Sequence, residues 1–454
     1  MEIEIISREN IKPSSPTPNH LRTHPISLLD QFQSPERGSA LLFYSSASSI
    51  SISISKRSQV LRKSLSQTLT LYYPFAGRVN NEFSIDCNDE GISYTVARVN
   101  CKLCDYLKQP DYSKFPKFVP EEIILCEIIS GCHVFMIQET VFACGGFAVG
   151  IVMAHTIIDG TSLITFLNTW ATMAREGSVA QSPNFSSSYI FPRNNAFPQD
   201  LTISAMMGRF LRVKGKFAGR RFVFKGSVIS NLKAEATRLG VQNPTRAEVV
   251  LTVLFKSIMS AYKARFGAKK KSSALLSASV NLRRRAEPQF PATSVGNILM
   301  QVAIVATSEE TEVCSFVSRM RETLGCLSGD FVKSLEGEQG LQSLCEYLTR
   351  LRETYSKSVS NGDEIIAFNS WCKAGTDSID YGWGKPLWFP AFHFAVGIPA
   401  SMIHLMDTRN CGGIEAWVSL DEDIMTLVEH DEELISVASV DPSPLEIDSL
   451  KSNL

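Results

Sequence analysis

Two different patterns of apolar and polar residues occur in the first half of the chain, one with helical periodicity and one with short continuous apolar runs. Between residues 60 and 72, apolar side chains recur every three or four positions, which predicts a helix that ends before Pro74. Residues 40–46 form a short apolar run that is typical of a strand. The longer run from 133 to 155 predicts two further strands, with a turn between them near residues 138–140.

The second half of the chain continues the mixture of helix and strand patterns. A helix is predicted directly after Asp159 and Gly160, and another opens at the capping box formed by Thr245 and Glu248. Further elements are predicted as strands at 220–226, 274–285 and 365–369, a helical region at 313–354, and a strand–turn–strand at 401–420. This succession indicates an α/β fold.

Chain length predicts more than one domain. With 454 residues, the chain exceeds the size at which a single hydrophobic core stops growing. The regular pattern dissolves into polar residues, proline and glycine at 182–219. We therefore expect one domain at 1–195, a crossover linker at 196–219 and a second domain at 220–454.

Composition and charge exclude several classes of protein. The hydrophobic content of 44% and the net charge of −1 are those of a globular chain with no overall attraction to nucleic acid or to an acidic membrane. We expect no signal peptide, because the first residues are acidic and proline-rich, and the sequence contains no apolar run long enough to span a bilayer. Dinucleotide-binding, phosphate-loop and serine-hydrolase motifs are also absent, so those activities have no support.

Cysteine usage favours a reducing compartment. The 11 cysteines are scattered without a compact framework, as in a cytoplasmic protein whose thiols stay reduced. Cys101 and Cys104 form one C-x-x-C pair, but a zinc site needs a second pair at suitable spacing, and none follows. No bound metal is expected.

Candidate chemistry lies at the junction between the strand predicted to end near residue 155 and the helix predicted after Gly160. His155 ends the apolar run, and Asp159 precedes the helix by one residue. One interpretation is purely structural, with a buried histidine beside an Asp that caps the helix. In the other, His155 is a general base near neutral pH. Because no Ser or Cys nucleophile accompanies it locally, such a base would activate an alcohol or amine of the substrate.

Two motifs in order resemble a known family. The stretch from His155 to Gly160 reads H-T-I-I-D-G, and residues 380–384 read D-Y-G-W-G. Together with "YYPFAGRV", "CGGFAVGIVMAH", "VNLRRR" and "LMDTRNCGGIEAWV", they resemble the BAHD family of plant acyl-CoA-dependent acyltransferases over nearly the whole chain. The match is closest to the branch that contains alkaloid acetyltransferases.

This resemblance implies a fold and a channel. We expect two chloramphenicol acetyltransferase-like domains, each a mixed β-sheet flanked by helices, with a solvent channel between them. Coenzyme A is expected to enter from one side and the acceptor from the other. The segment at about 381–404 is expected to pack back on the N-terminal domain.

The resemblance also assigns roles to residues. His155 is expected to be the general base, and Asp159 to support its loop through an arginine rather than relay protons. Asp380 is expected to be structural as well, bridged to Arg283. Gly382, Trp383 and Gly384 complete the second motif, in which Tyr381 replaces the family's usual Phe; a buried Tyr needs a partner for its hydroxyl.

Binding residues are less strongly indicated. Coenzyme A carries phosphates, so basic side chains are candidates to bind it: Lys269, Lys270, Lys271 and Arg284 or Arg285. An equal alternative is that these residues are a run of solvated surface charges with no binding role. Trp371 and Lys373 lie in a stretch that borders the acceptor in relatives.

Three functions remain open at this point. The first is an O-acyltransferase, with acetyl-CoA or another acyl-CoA as co-substrate and no permanently bound cofactor. It would act as a monomer on a hydroxyl of a specialised metabolite such as an alkaloid or terpenoid. The second is N-acylation of an amine or polyamine, and the third is a non-catalytic binding protein on the same fold.

Overall fold

The computed structural model describes residues 1–33, 36–46, 53–80, 84–120, 129–179, 181–206, 215–267, 273–307, 312–391, 400–409 and 412–446. The candidate phosphate-binding residues Lys269, Lys270 and Lys271 lie outside these described residues. Within the described residues, no helix is both long and apolar enough to cross a membrane.

Strands and helices alternate along the chain. The strands are β1 (Ile3–Ile11), β2 (Thr23–Pro25), β3 (Arg37–Tyr44), β4 (Arg78–Asn80), β5 (Ser84–Asp86), β6 (Ile92–Val99), β7 (Phe135–Phe142), β8 (Phe147–Ala154), β9 (Phe217–Phe224), β10 (Ser273–Asn281), β11 (Leu299–Thr307), β12 (Glu364–Ser370), β13 (Met402–Asp407), β14 (Ile414–Asp421) and β15 (Ser439–Val440). The α-helices are α1 (Leu28–Phe32), α2 (Ile54–Leu71), α3 (Leu103–Lys108), α4 (Gly160–Glu176), α5 (Ser187–Ile190), α6 (Gly226–Arg238), α7 (Arg246–Phe266), α8 (Val313–Gly325), α9 (Gly329–Ser334), α10 (Gly340–Asn361), α11 (Glu422–Val428) and α12 (Glu432–Val437).

The strands form two large mixed sheets and one small sheet. The first is five-stranded with the order β1-β6-β7-β8-β3, and the second is seven-stranded with the order β11-β10-β12-β13-β14-β9-β15. A three-stranded sheet, β2-β5-β4, lies apart from both. The first large sheet uses residues before 155 and the second uses residues after 216, which agrees with the predicted α/β class.

Helix prediction from the sequence was accurate where local signals were strong. The predicted capping box is present, because Thr245 and Glu248 each bond to the other's backbone at the start of α7. The helix after Asp159 is α4, and Asp159 caps it. The predicted helical region at 313–354 is broken into α8, α9 and α10.

The turn predicted at residues 138–140 is wrong. These residues lie in the middle of β7, whose eight side chains are all buried, and the turn comes after Phe142, where Gly145 has a φ of +83°. Gln138 misled the prediction because it is polar, yet its amide donates to the Lys117 carbonyl and the Thr140 hydroxyl. A buried polar side chain with its hydrogen bonds satisfied does not end a strand.

An apolar cluster joins the two large sheets. Phe43 of β3 stacks on Trp388, which in turn stacks on Trp417 of β14. The backbone follows the same path, since Leu387 donates to the Phe43 carbonyl at 2.7 Å and Phe43 donates to the Trp388 carbonyl at 2.9 Å. Of the segment predicted to pack back at 381–404, residues 392–399 lie outside the described residues and 402–404 begin β13 of the second sheet. The domain boundaries themselves stay a prediction.

Candidate active site

His155 lies between the end of β8 and the start of α4, and the residue is partly exposed. Its backbone N–H donates to the Glu36 carbonyl at 3.2 Å, and its carbonyl accepts a hydrogen bond from Nδ2 of Asn297 at 2.8 Å. Within the described part of the chain, nothing hydrogen-bonds the imidazole itself. The backbone of His155 is therefore fixed while its ring nitrogens remain available.

Gly38 of β3 lies beside the His155 ring and the Met153 side chain. A Cβ atom added to Gly38, near the start of β3, would lie 3.4 Å from Cδ2 of His155 and 2.8 Å from Cε of Met153. A side chain at this position would therefore crowd Met153 and contact one edge of the imidazole.

Asp159 serves as the N-cap of α4 and is buried. Its Oδ1 accepts hydrogen bonds from the backbone N–H of Ser162 at 2.8 Å and from the Ser162 hydroxyl at 2.7 Å. These bonds satisfy donors that the first turn of a helix leaves without backbone partners. Asp159 was expected to cap the helix and to pair with an arginine. The structure shows both contacts.

That arginine is Arg283, which follows strand β10 of the second sheet. Its guanidinium approaches the Asp159 carboxylate through two contacts, at 2.7 Å and 3.1 Å, and both side chains are only 3% exposed. It also donates to the carbonyl oxygens of Ser294 and Gly296. The pair is therefore buried, bidentate and fully surrounded by hydrogen bonds, which is the arrangement that a buried ion pair requires.

The expected bridge between Asp380 and Arg283 is wrong, because Arg283 is committed to Asp159. The Asp380 carboxylate instead accepts hydrogen bonds from the backbone N–H groups of Gly382 at 2.8 Å and Gly384 at 2.9 Å. Its carbonyl accepts from Arg175, near the end of α4. Because α4 has 17 residues and rises about 1.5 Å per residue, the second motif lies roughly 25 Å along that helix from Asp159.

The other residues of the second motif pack into the first domain's core. Tyr381 is buried against Tyr44 and Trp170, and Trp383 contacts Phe147 of β8. None of the described residues accepts or donates a hydrogen bond at the Tyr381 hydroxyl. Burial raises the pKa of this hydroxyl well above its usual value.

Of the two candidate acceptor residues, Trp371 lies close to the His155 loop. A Cβ on Gly160 would come within 2.8 Å of Cζ2 of Trp371, so the glycine of H-x-x-x-D-G lets the indole pack on the first turn of α4. Trp371 also contacts the ring of Phe389, with centroids 5.8 Å apart. Lys373 is exposed, and its backbone N–H donates to Asp407.

The candidate phosphate-binding arginines differ in their surroundings. Arg285 donates to the carbonyl oxygens of Leu324, in the last turn of α8, and Leu327, just after it. Its guanidinium therefore satisfies carbonyl groups that the end of the helix leaves without partners. Arg284 is exposed. Neither is brought together with His155. Within the described residues, no group of three His, Cys, Asp or Glu side chains is arranged to hold a metal ion.

Sequence reasoning missed Asn297 and Asp30. Asn297 contacts His155 from a loop before β11, and Asp30 in turn contacts Asn297. Neither residue belongs to a charged run or a titratable cluster, so only the fold brings them to the site.

Comparison with known proteins identifies the family. A sequence model of the Transferase family matches residues 1–435. The chain is 42% identical to epi-neemfruitin B 7-O-acetyltransferase of Melia azedarach, over 98% of this chain and 100% of the relative. It is 41% identical to limonoid 7-O-acetyltransferase of Citrus sinensis, again over 98% and 100%. The crystal structure of vinorine synthase matches with a TM-score of 0.77 at 29% identity, over 97% of this chain and 99% of that chain. The chain therefore belongs to the Transferase family, the BAHD acyltransferases, and is an acyltransferase enzyme with two sheet-containing domains.

Proposed function

We propose that this enzyme transfers an acyl group, in the first place acetyl, from a coenzyme A thioester to a hydroxyl group of a plant terpenoid or alkaloid. The observation that carries the proposal is His155. The residue is partly exposed, no described residue hydrogen-bonds its ring, and its loop is held by contacts from the second half of the chain. Terpenoid alcohols are the first acceptors to test, because the two relatives described above are named for acetylation of limonoid-type compounds.

The proposed reaction is direct transfer in one active site. A ring nitrogen of His155 takes the proton of the acceptor hydroxyl, and the oxygen attacks the thioester carbonyl carbon. The tetrahedral oxyanion then collapses, the carbon–sulfur bond breaks, and protonated His155 returns the proton to the leaving thiolate. The products are an ester and free coenzyme A. General-base catalysis of this kind contributes roughly 10²–10⁴-fold in rate.

Asp159 is unsuited to relay protons to His155. Its two oxygens are occupied by Arg283 and Ser162, and neither contacts the imidazole. We therefore assign it to the shape of the loop, with Arg283 as its partner. Trp371 and Lys373 are proposed acceptor contacts, and Lys269–Lys271 with Arg284 proposed phosphate contacts. A cytoplasmic location and a monomeric state also remain proposals.

Turnover assays test the proposal. Purified enzyme is incubated with acetyl-CoA and a panel of terpenoid alcohols, alkaloid alcohols and amines, and both free thiol and acylated product are measured. We expect ester formation, and His155→Ala is expected to lower kcat about 10²–10⁴-fold with an unchanged circular dichroism spectrum. His430→Ala is the matched control, since His430 is exposed and, among the described residues, hydrogen-bonds only the Thr426 carbonyl of its own turn.

Other outcomes contradict parts of the proposal. Amide products alone would favour N-acylation. Thiol release without an acceptor would indicate a thioesterase. A folded His155→Ala enzyme with wild-type turnover would exclude His155 as the base.

A further inference from the structure

The carbonyl oxygen of His155 is held by a side chain from the other half of the sequence. Nδ2 of Asn297 donates to this oxygen at 2.8 Å and also to Oδ1 of Asp30 at 2.9 Å. Asn297 is fully buried and Asp30 is 4% exposed. A buried amide with two charged or dipolar acceptors makes hydrogen bonds that are stronger than the same bonds in water.

Asp30 fixes the orientation of the Asn297 amide. Oδ1 of Asp30 also accepts the backbone N–H of Asn297 at 2.9 Å, and its Oδ2 accepts the backbone N–H and hydroxyl of Ser27. Burial raises the pKa of Asp30, while the hydrogen bonds from Ser27 and Asn297 oppose that rise. Rotating the amide by 180° would set Oδ1 of Asn297 against two other oxygens, so only one orientation is compatible with its neighbours.

Oδ1 of Asn297 has no hydrogen-bond partner among the described residues, although it is buried. Leaving a buried acceptor unpaired is unfavourable. In the orientation that holds the carbonyl oxygen of His155, the Asn297 amide therefore leaves its own oxygen without a hydrogen bond from the described residues.

The same short segment also holds the far end of the loop. The Gly296 carbonyl accepts from Arg283, and the Gly296 N–H donates to the Ser162 hydroxyl, which bonds Asp159. The loop between β8 and α4 is thus fixed at His155 by Asn297 and at Asp159 by Arg283. Both contacts cross between the two halves of the chain.

We propose that Asn297, oriented by Asp30, is a positioning residue that sets the direction of the His155 side chain by holding its carbonyl oxygen. Rotation of the peptide that follows His155 would turn the Cα–Cβ bond and move the ring nitrogens relative to the acceptor hydroxyl. Displacements of about 1 Å in a catalytic group can lower the rate 10²-fold. The inference rests on the proposed role of His155 as the base.

The test compares Asn297→Leu with Ser187→Ala. Leucine has the same branched skeleton of side-chain heavy atoms as Asn297 and removes both donors, whereas Ser187→Ala removes a hydrogen bond to the Val295 carbonyl in the same segment without touching His155. We expect Asn297→Leu to lower kcat 10–100-fold, with KM for acetyl-CoA and acceptor changed less than about threefold. Ser187→Ala should stay within about twofold of wild type.

A second readout does not depend on turnover. The ring signals of 13C-labelled histidine are recorded by NMR at one fixed pH, and His155 is assigned by the signal that His155→Ala loses. Asn297→Leu should shift the His155 ring signal, because the ring takes a new orientation, and Ser187→Ala should not. Should Asn297→Leu fail to fold, Asp30→Asn takes its place, because it retains an oxygen acceptor while removing the charge that orients the amide.

The outcomes separate this inference from the proposed function. Wild-type kcat in folded Asn297→Leu, equal losses in Asn297→Leu and Ser187→Ala, or an unmoved His155 signal would each overturn the inference. If the wild-type enzyme transfers no acyl group to any acceptor, the proposed function fails, and the NMR comparison alone decides whether Asn297 positions the His155 ring.

Discussion

The two motif aspartates, Asp159 and Asp380, support the structure in two physically different ways. Asp159 lies at a domain junction, buried, with an arginine from the second half of the chain as its ionic partner. Asp380 is only partly buried and binds backbone N–H groups two and four residues ahead in its own turn. The first couples distant parts of the fold, and the second shapes a local loop.

The difference follows from what each carboxylate can reach. Arg283 is held over Asp159 by the carbonyl oxygens of Ser294 and Gly296, so it has no freedom to approach Asp380. Gly382 and Gly384 have φ values of +107° and +109°, a region that favours glycine, and this curvature turns their N–H groups toward Asp380. A change at Asp159 should therefore reach the active site, and one at Asp380 should not.

The largest expected effect comes from removing the cation of the buried pair. Arg283→Met leaves the Asp159 charge buried with only Ser162 as a partner, and we expect a loss of about 3–5 kcal/mol in the free energy of unfolding. Turnover should fall as well, because the loop that carries His155 loses its second contact. Urea denaturation and kcat measured on the same preparation check both effects.

A double variant sharpens this prediction. In Arg283→Met with Asp159→Asn, no charge remains buried and asparagine still caps α4, so part of the lost stability should return. If the double variant is as unstable as the sum of its two single variants, the ion pair is not the source of the effect.

A smaller effect is expected at the second motif. Asp380→Ala removes two hydrogen bonds from a partly exposed turn, which resembles the loss of a helix cap and should cost about 1 kcal/mol. Because the turn lies roughly 25 Å along α4 from Asp159, kcat should stay within about twofold of wild type. A kcat loss as large as that of Arg283→Met would remove the distinction between the two aspartates.

Sequence reasoning identified what local patterns encode. The helix after Asp159 and the capping box at Thr245 depend on residues close together in the chain, whereas His155 is singled out as the base only through the resemblance that joins its motif to the second motif at residues 380–384. It failed where partners are far apart: Arg283 lies 124 residues from Asp159, and Asn297 lies 142 residues from His155. No spacing rule links such positions, since only the packing of the two sheets brings them together.

An effect on stability of about the same size as that of Asp380→Ala, with no change in kcat, is expected at Tyr381, the residue that departs from the family's usual Phe, and at its neighbour Tyr44. Both side chains are 1% exposed, but the Tyr44 hydroxyl donates to the Ile379 carbonyl at 3.1 Å, whereas the Tyr381 hydroxyl has no partner among the described residues. Tyr381→Phe should therefore raise the free energy of unfolding by about 1 kcal/mol, and Tyr44→Phe should lower it by about the same amount. Thermal and urea denaturation of the two variants measure these opposite changes in the free energy of unfolding. We expect kcat of Tyr381→Phe to equal that of the wild type. If both variants lose stability equally, the Tyr381 hydroxyl is hydrogen-bonded in the folded protein, and the second motif contains a polar contact that the described residues do not supply.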